Sequence, residues 1–353
     1  MVQYGYTSQV TDHAALDYFS IRNDLTDRLL VKSHQLAGVP EQDRSVVLAA
    51  AVGSVPEAAR LLSSSTSLFP DGDSASSRLA FSCLSAAATF PRASRGQIAD
   101  LGALTTILFG VDDIADGVAG AWSDRDVATL FGRLAGMVGG ARPEAGGSKP
   151  MSEALHAWQA WCARFHDYAG AAVYAPSLME HLELAGAAMA RERLWATGGE
   201  PWPSYERYVD NGRLTILYHT WWLAALAICG PAPADAGHWH SIAPATDIGA
   251  ECLRLANDVR TFERERSENK PNSVLILERA GLSTEAAIER VSAHIAVRNA
   301  AFDAALTRLP VVLAPLAEGQ RRSVSFNGGW YMARDTHAYT VQDLARDMDT
   351  HAG

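Results

Sequence analysis

Cysteine is scarce in this chain, and so are most features that would assign it to a specialised class. Its four cysteines, Cys83, Cys162, Cys229 and Cys252, are scattered, with no Cys-x-x-Cys pair and no histidine at zinc-ligand spacing. That excludes a disulfide framework or zinc ribbon and predicts reduced core thiols in a cytoplasmic protein. The start, Met1-Val-Gln-Tyr-Gly-Tyr6, lacks the basic end and apolar block of a signal peptide. The most apolar stretches, around Val46 to Val55 and Trp221 to Cys229, fall short of the roughly 20 residues that cross a bilayer, so no membrane span is expected. Surplus basic charge is missing too. A formal net charge of -10 excludes general affinity for nucleic acids, whose phosphate backbones require Lys and Arg in excess. A diphosphate ligand stays open where metal ions supply the positive charge. Alternating strand patterns are few, and no internal repeat or low-complexity tract stands out.

What is present is apolar helical periodicity. With 353 residues, 48% hydrophobic and 20% charged, the chain can bury a large core and is too apolar to be disordered. Apolar residues at three- and four-residue steps predict an all-α fold, with helices over parts of 13–37, 41–63, 75–90, 96–118, 124–138, 150–168, 175–196, 203–229, 244–268, 283–309 and 311–331. Gly/Pro-rich stretches at 69–73, 139–150, 198–203 and 230–233 punctuate them. The expected organisation is one domain over 1–353, with 1–12 and 340–353 as candidate flexible tails.

Two oxygen-rich clusters interrupt the apolar pattern. Asp112 and Asp116 are four residues apart and share a helix face; Asn257, Thr261 and Glu265 repeat the same step. Carboxylate, amide and hydroxyl oxygens at that spacing suit a hard cation such as Mg²⁺, which shares its coordination with water and phosphate oxygens. In the second helix Pro244 suits an early position, and Ile248, Cys252, Leu255, Val259 and Phe262 form a core-facing stripe. Asn257, Thr261, Arg264 and Glu265 fall on the opposite arc, with Arg254 one turn earlier as a weaker candidate.

These residues resemble the class I terpene synthases, metal-dependent cyclases of isoprenoid diphosphates. Asp112-Asp-Ile-Ala-Asp116 matches the DDxxD motif, and Asn257-Asp-Val-Arg-Thr-Phe-Glu-Arg-Glu265 matches the NSE motif, (N/D)Dxx(S/T)xx(K/R)(D/E), at every defined position. Order and separation match as well, Asn257 lying 145 residues after Asp112. A bare DDxxD is weak, because acidic helix turns are common; the pair is specific. Tyr205-Glu-Arg-Tyr-Val-Asp-Asn-Gly-Arg-Leu-Thr-Ile-Leu217 looks like the segment carrying the family's diphosphate-sensing arginine, here Arg213, 44 residues before Asn257. Ile216 would then be the linker and Leu217 the effector at a helix break, where the family often has glycine. The family's C-terminal Arg-Tyr pair is represented by Arg334, which is followed by Asp335, with Tyr339 the nearest later tyrosine. The resemblance covers roughly residues 80 to 340.

The resemblance implies a helical bundle around a deep pocket, with Mg²⁺, three ions when substrate is bound, at its mouth. Asp112, Asp116, Asn257, Thr261 and Glu265 would be metal ligands. Arg213, Arg264 and Arg334 would bind the diphosphate. Asp113 would pair with Arg213 on closure, and Phe109 and Trp330 would offer aromatic faces to a carbocation. Because the stretch before Asp112 lacks the Trp-rich entry common in bacterial sesquiterpene synthases, the expected substrate is geranylgeranyl diphosphate (C20), giving a cyclic diterpene. Farnesyl diphosphate (C15), or a labdadienyl-type diphosphate already cyclised elsewhere, are the alternatives; the chain has no DxDD motif of its own. A prenyltransferase would need a second DDxxD-type motif where the NSE segment stands. A non-catalytic helical scaffold is the rival of another class, and a homodimer is an open option. His219, His238 and His240 read as structural residues, and Trp221 with Trp222 as core.

Overall fold

The structure, a computed structural model, describes residues 38–65, 68–69, 72–117, 123–142 and 148–333. Every regular element among them is helical. A 3₁₀ turn at Glu41–Asp43 leads into α1 (Arg44–Leu62), followed by α2 (Gly72–Thr89), α3 (Arg95–Ala115), α4 (Asp124–Val138), α5 (Lys149–Phe165) and α6 (Ala171–Thr197). Then come α7 (Tyr205–Thr215), α8 (Tyr218–Cys229), α9 (Gly237–Ser267), α10 (Ser273–Arg279), α11 (Thr284–Thr307), a second 3₁₀ turn (Val311–Leu313) and α12 (Ala314–Ala333).

Serine starts many of these helices. Ser94, Ser123, Ser148, Ser204 and Ser283 each accept a backbone N–H of the first turn, and Ser94 and Ser123 complete capping boxes with Gln97 and Asp126. Gly198 ends α6 in the left-handed conformation that favours glycine. Helices α3, α2, α12, α9, α7 and α6 pack in succession around α8, which touches α3, α6 and α9. That position explains the composition of α8: Tyr218 to Ile228 is apolar on nearly all sides and wholly buried. Trp158, Trp161 and Phe165 fill another part of the core, where the indole N–H groups donate to the carbonyls of Leu134 and Asp100. Cys83, Cys162 and Cys252 are buried and Cys229 half-buried; all four are unpaired thiols, and burial pushes each up to about 12.

Several boundaries differ from the sequence expectation. The span 203–229 is two helices, broken at Ile216 and Leu217 without any glycine or proline. The helix expected from 244 begins at Gly237, because Pro244 is exposed within it and the carbonyl its ring leaves unbonded can face water. Helix α10 was not foreseen; seven residues are too few for a periodic signal. The expectation that every apolar stretch is too short to span a membrane also needs correcting. Glu41–Leu62 is long and apolar enough by length and composition, yet half of its apolar window is buried inside the protein. The helix expected at 13–37 lies outside the described residues.

Candidate functional site

The C-terminal end of α3 and the middle of α9 meet at two adjoining cavities that share Asp112, Arg254 and Asn257. One, a chamber of about 130 Å³, is lined by Phe81, Leu108, Phe109, Leu217, Trp221 and Leu253, among others. The other, a vestibule of about 410 Å³, is lined by Asp116, Glu192, Arg193, Arg264, Glu265 and Lys270, among others. The vestibule alone has the size of an ordinary small-molecule site, roughly 300–1,000 Å³, whereas the chamber alone falls below it. An aromatic hollow thus opens through three polar side chains into a charged one.

On α9 the ligand face is built into the protein as firmly as the core stripe. Thr261 and Glu265 are buried, and the Thr261 hydroxyl donates to the Asn257 carbonyl at 3.0 Å. Asn272, the N-cap of α10, donates to Glu265 Oε2 at 2.8 Å. Burial, reinforced by the nearby Asp258 carboxylate, pushes the Glu265 carboxyl above the usual carboxylate range. Asp258, itself fully buried, joins a network with Tyr208, Ser273 and the half-buried Arg254. It accepts from Tyr208 Oη at 3.0 Å and from the Ser273 N–H at 3.2 Å, and pairs with Arg254 Nε at 3.1 Å.

On α3 the arrangement is looser. Asp112 is half-buried and lines both cavities, while Asp116, the C-cap residue, is exposed and pairs with Lys270 Nζ at 3.1 Å. Asp113 faces the other way: it is buried and pairs with Arg78 Nη2 at 3.5 Å. The Arg78 guanidinium also lies 4.4 Å from the Phe109 ring centroid. Among the described residues no three His, Cys, Asp or Glu side chains converge closely enough to hold a metal by themselves. The donor set facing the vestibule is nonetheless all oxygen and of mixed charge, with carboxylates of Asp112, Asp116 and Glu265 and the amide of Asn257, which fits a hard divalent cation that keeps water and shares phosphate oxygens.

Arg213 reaches neither cavity. Its Nη1 lies 3.9 Å from Asp247 Oδ1, to which His219 Nε2 is hydrogen-bonded at 2.7 Å, and His181 stacks on His219. Burial would raise the Asp247 carboxyl, but His219 and Arg213 outweigh it and hold it below the usual carboxylate range. His219 is thus a buried, hydrogen-bonded side chain, as the sequence suggested, with a half-exposed partner, and His238 contacts Tyr174 Oη at 3.4 Å. Leu217 takes φ 56° and ψ 17°, the left-handed region that a side chain occupies at a cost of about 1–2 kcal/mol. Its carbonyl accepts the Trp221 N–H at 3.0 Å, restarting the helix beyond the break.

Phe109 lines the chamber with Phe81, and Trp330 packs behind Phe81 with ring centroids 4.8 Å apart. Both tryptophans of the pair expected as core are buried in it, and Trp221 in addition walls the chamber and donates its indole N–H to Thr105 Oγ1 at 2.8 Å. Arg334 and Tyr339 lie outside the described residues. Sequence reasoning missed Lys270 and Glu192 and ranked Arg254 too low. Lys270 is one of only three lysines and follows Glu265 by five residues, a signal available but unused.

Comparison with known families matches residues 103–299, more than half the chain, to terpene synthase family 2, C-terminal metal binding. The chain belongs to this family. The matched span contains both oxygen-rich clusters, the helix break and most residues of the two cavities, with Phe81, Ser85, Ser323 and Asn327 of the chamber outside it. No curated protein matches the chain in sequence. Solved structures share its fold: 2-methylisoborneol synthase from Streptomyces coelicolor A3(2) aligns with a TM-score of 0.64 at 17% identity, over 86% of this chain and 93% of that one. Linalool/nerolidol synthase from Streptomyces clavuligerus gives 0.57 at 16% identity over 71% and 86%. Abietadiene synthase from Abies grandis gives 0.63 at 14% identity over 87% of this chain but 40% of that longer one.

Proposed function

We propose that the protein ionises an isoprenoid diphosphate and cyclises the hydrocarbon, releasing diphosphate. The observation that carries this reading is the pair of cavities joined through Asp112, Arg254 and Asn257, one charged and one aromatic. A diphosphate suits the first and an allylic chain the second. Asp112, Asp116, Asn257, Thr261 and Glu265 would hold Mg²⁺, with Asp116 first leaving Lys270. Bound Mg²⁺ supplies Lewis-acid stabilisation of the departing diphosphate. Arg264, at the vestibule wall, donates charge-assisted hydrogen bonds to the same leaving group, joined by Arg213 and Arg334 on closure. For that, Arg213 must swing from Asp247 and Asp113 must exchange Arg78 for Arg213. The chamber excludes water from the carbocation, and each well-placed ring offers roughly 0.5–2 kcal/mol to a desolvated cation. Phe81, Phe109, Tyr218 and Trp221 are rings that line it; Trp330 would act by holding Phe81, or directly after a rotation.

The proposed substrate is geranylgeranyl diphosphate, converted to a cyclic diterpene. Farnesyl diphosphate is the second reading: a chamber of about 130 Å³ is too small for either the C15 or the C20 chain until its wall at Leu217 moves, so its volume does not separate them. Incubating purified protein and Mg²⁺ with C10, C15 and C20 linear diphosphates separately, with mass-spectrometric analysis of the extracts, tests both. A cyclic product from one substrate that disappears in Asn257→Ala supports the cyclase and fixes chain length. Absence of product from all three, together with no calorimetric binding of Mg²⁺ plus diphosphate, would leave the scaffold reading; binding without product would point to a pre-cyclised substrate.

A further inference from the structure

Arg254 stands where three helices meet and both cavities touch. Its Nη1 donates to Thr215 Oγ1 at 3.0 Å, its Nη2 approaches the Glu192 carboxylate at 3.5 Å, and its Nε donates to Tyr208 Oη and pairs with Asp258 Oδ1, both at 3.1 Å. One guanidinium therefore ties α6 through Glu192 and α7 through Tyr208 and Thr215 to its own helix, α9. The two ends of this clamp are unequal in function. On α9, Arg254 is one turn before Asn257, and its partner Asp258 is the next residue after Asn257. On α7, Thr215 is the last helical residue, two before the left-handed Leu217, and Thr215, Ile216 and Leu217 all line the chamber.

We propose that Arg254 is a positioning residue that couples occupancy of the diphosphate vestibule to the shape of the hydrocarbon chamber, acting through Thr215 on the helix break. The inference rests on the functional reading above and adds to it the path by which ionisation and chamber geometry are linked. The physical basis is the planar fork of five N–H donors, which holds acceptors on separate helices in one fixed orientation, as a lysine ammonium does not. Glu192 and Tyr208 fix the far edges of the fork, and Arg254 itself lines the vestibule, so a shift of its guanidinium when ligands enter there reaches Thr215 directly, with α9 held in place. Gly212 supplies the room. A Cβ there would meet Arg254 Cγ at 2.8 Å, so α7 accepts a helix-weakening residue where the arginine stem lies against its backbone. The Thr215 hydroxyl completes the link by contacting Glu192 Oε1 at 3.0 Å.

The test is hydrogen exchange at the amides of Ile216, Leu217 and Tyr218, with and without Mg²⁺ plus inorganic diphosphate, in the full chain and in Thr215→Val, Gly212→Ala and Arg254→Lys. In the unaltered protein the ligands should slow exchange at the break on the order of tenfold, the scale of one hydrogen bond to a charged group. Thr215→Val, which keeps side-chain shape, should bind Mg²⁺ and diphosphate within about twofold of the parent yet lose that protection. With substrate, its kcat should fall on the order of tenfold at little-changed KM, and acyclic, prematurely quenched products should rise. Gly212→Ala, which displaces the arginine stem without removing charge, should do the same, and Arg254→Lys should not rescue. Protection at the break that persists fully in Thr215→Val with binding intact would overturn the coupling and leave the cyclase reading standing. Failure of the unaltered protein to bind Mg²⁺ plus diphosphate would sink both.

Discussion

The two oxygen-rich motifs that face each other across the vestibule are built on opposite principles. On α9, Asp258, Thr261 and Glu265 are buried and held by Tyr208, Ser273, Asn272 and Arg254. On α3, Asp112 is half-buried and Asp116 is exposed, held by a single lysine. One motif is buried along most of its length; the other runs out at a helix end, from the buried Asp113 to the exposed Asp116. A ligand that bridges them therefore meets one fixed wall and one adaptable wall, and substitutions on the two sides should fail in different ways.

The largest expected effect is at Asp258. Asp258→Ala takes the buried acceptor from the Tyr208 hydroxyl and the Ser273 N–H and leaves Arg254 ion-paired with Glu192 alone, which should cost upwards of about 1–3 kcal/mol, whereas Asp116→Ala breaks an exposed pair that is worth at most about 1 kcal/mol. Urea denaturation of the two variants measures the contrast, and equal stabilities would dissolve it. Next come the ligands that carry little packing. Asp112→Ala and Asn257→Ala should each abolish calorimetric binding of Mg²⁺ plus diphosphate with stability changed by no more than about 1 kcal/mol. Retained binding in either would remove that residue from the ligand set.

A smaller effect is expected at Leu217, where two terms oppose each other. Leu217→Gly relieves a left-handed backbone worth about 1–2 kcal/mol but removes a buried leucine worth roughly 2–5 kcal/mol, so the variant should be modestly less stable. It should also accept a longer diphosphate than the parent, which competition between C15 and C20 substrates would show. The smallest effect is at Lys270. Lys270→Ala frees Asp116 and should tighten binding of Mg²⁺ alone by no more than about fivefold, the worth of an exposed ion pair. Weaker binding instead would make Lys270 part of the site's support.

Legibility in the sequence followed the same division. Helices with long apolar periodicity, such as α4 and α5, were readable nearly to the residue, because periodicity and serine or proline starts agree there. The break at Ile216 and Leu217 was invisible to periodicity, since nothing in Leu214-Thr-Ile-Leu-Tyr218 forbids a continuous helix; only the resemblance marked it. The spacing of Asn257, Thr261 and Glu265 gave their common face, but it says nothing of what a neighbouring helix brings to it. Glu192 and Lys270 enter the site from α6 and from the turn after α9, and Arg254 gains its importance from partners on two other helices. The destination of Arg213, beside Asp247 and His219, is likewise a tertiary fact.

The four thiols have a practical meaning. With Cys83, Cys162, Cys229 and Cys252 all pushed up to about 12, almost no thiolate exists at neutral pH, and thiolate is the form that alkylating reagents attack. The native chain is therefore a quiet background for thiol labelling. A single exposed cysteine introduced at Thr197 on the vestibule rim, paired with another at a distant surface position, would accept a fluorophore pair without first stripping the native cysteines, and would let movement of the mouth be followed in solution on the intact protein.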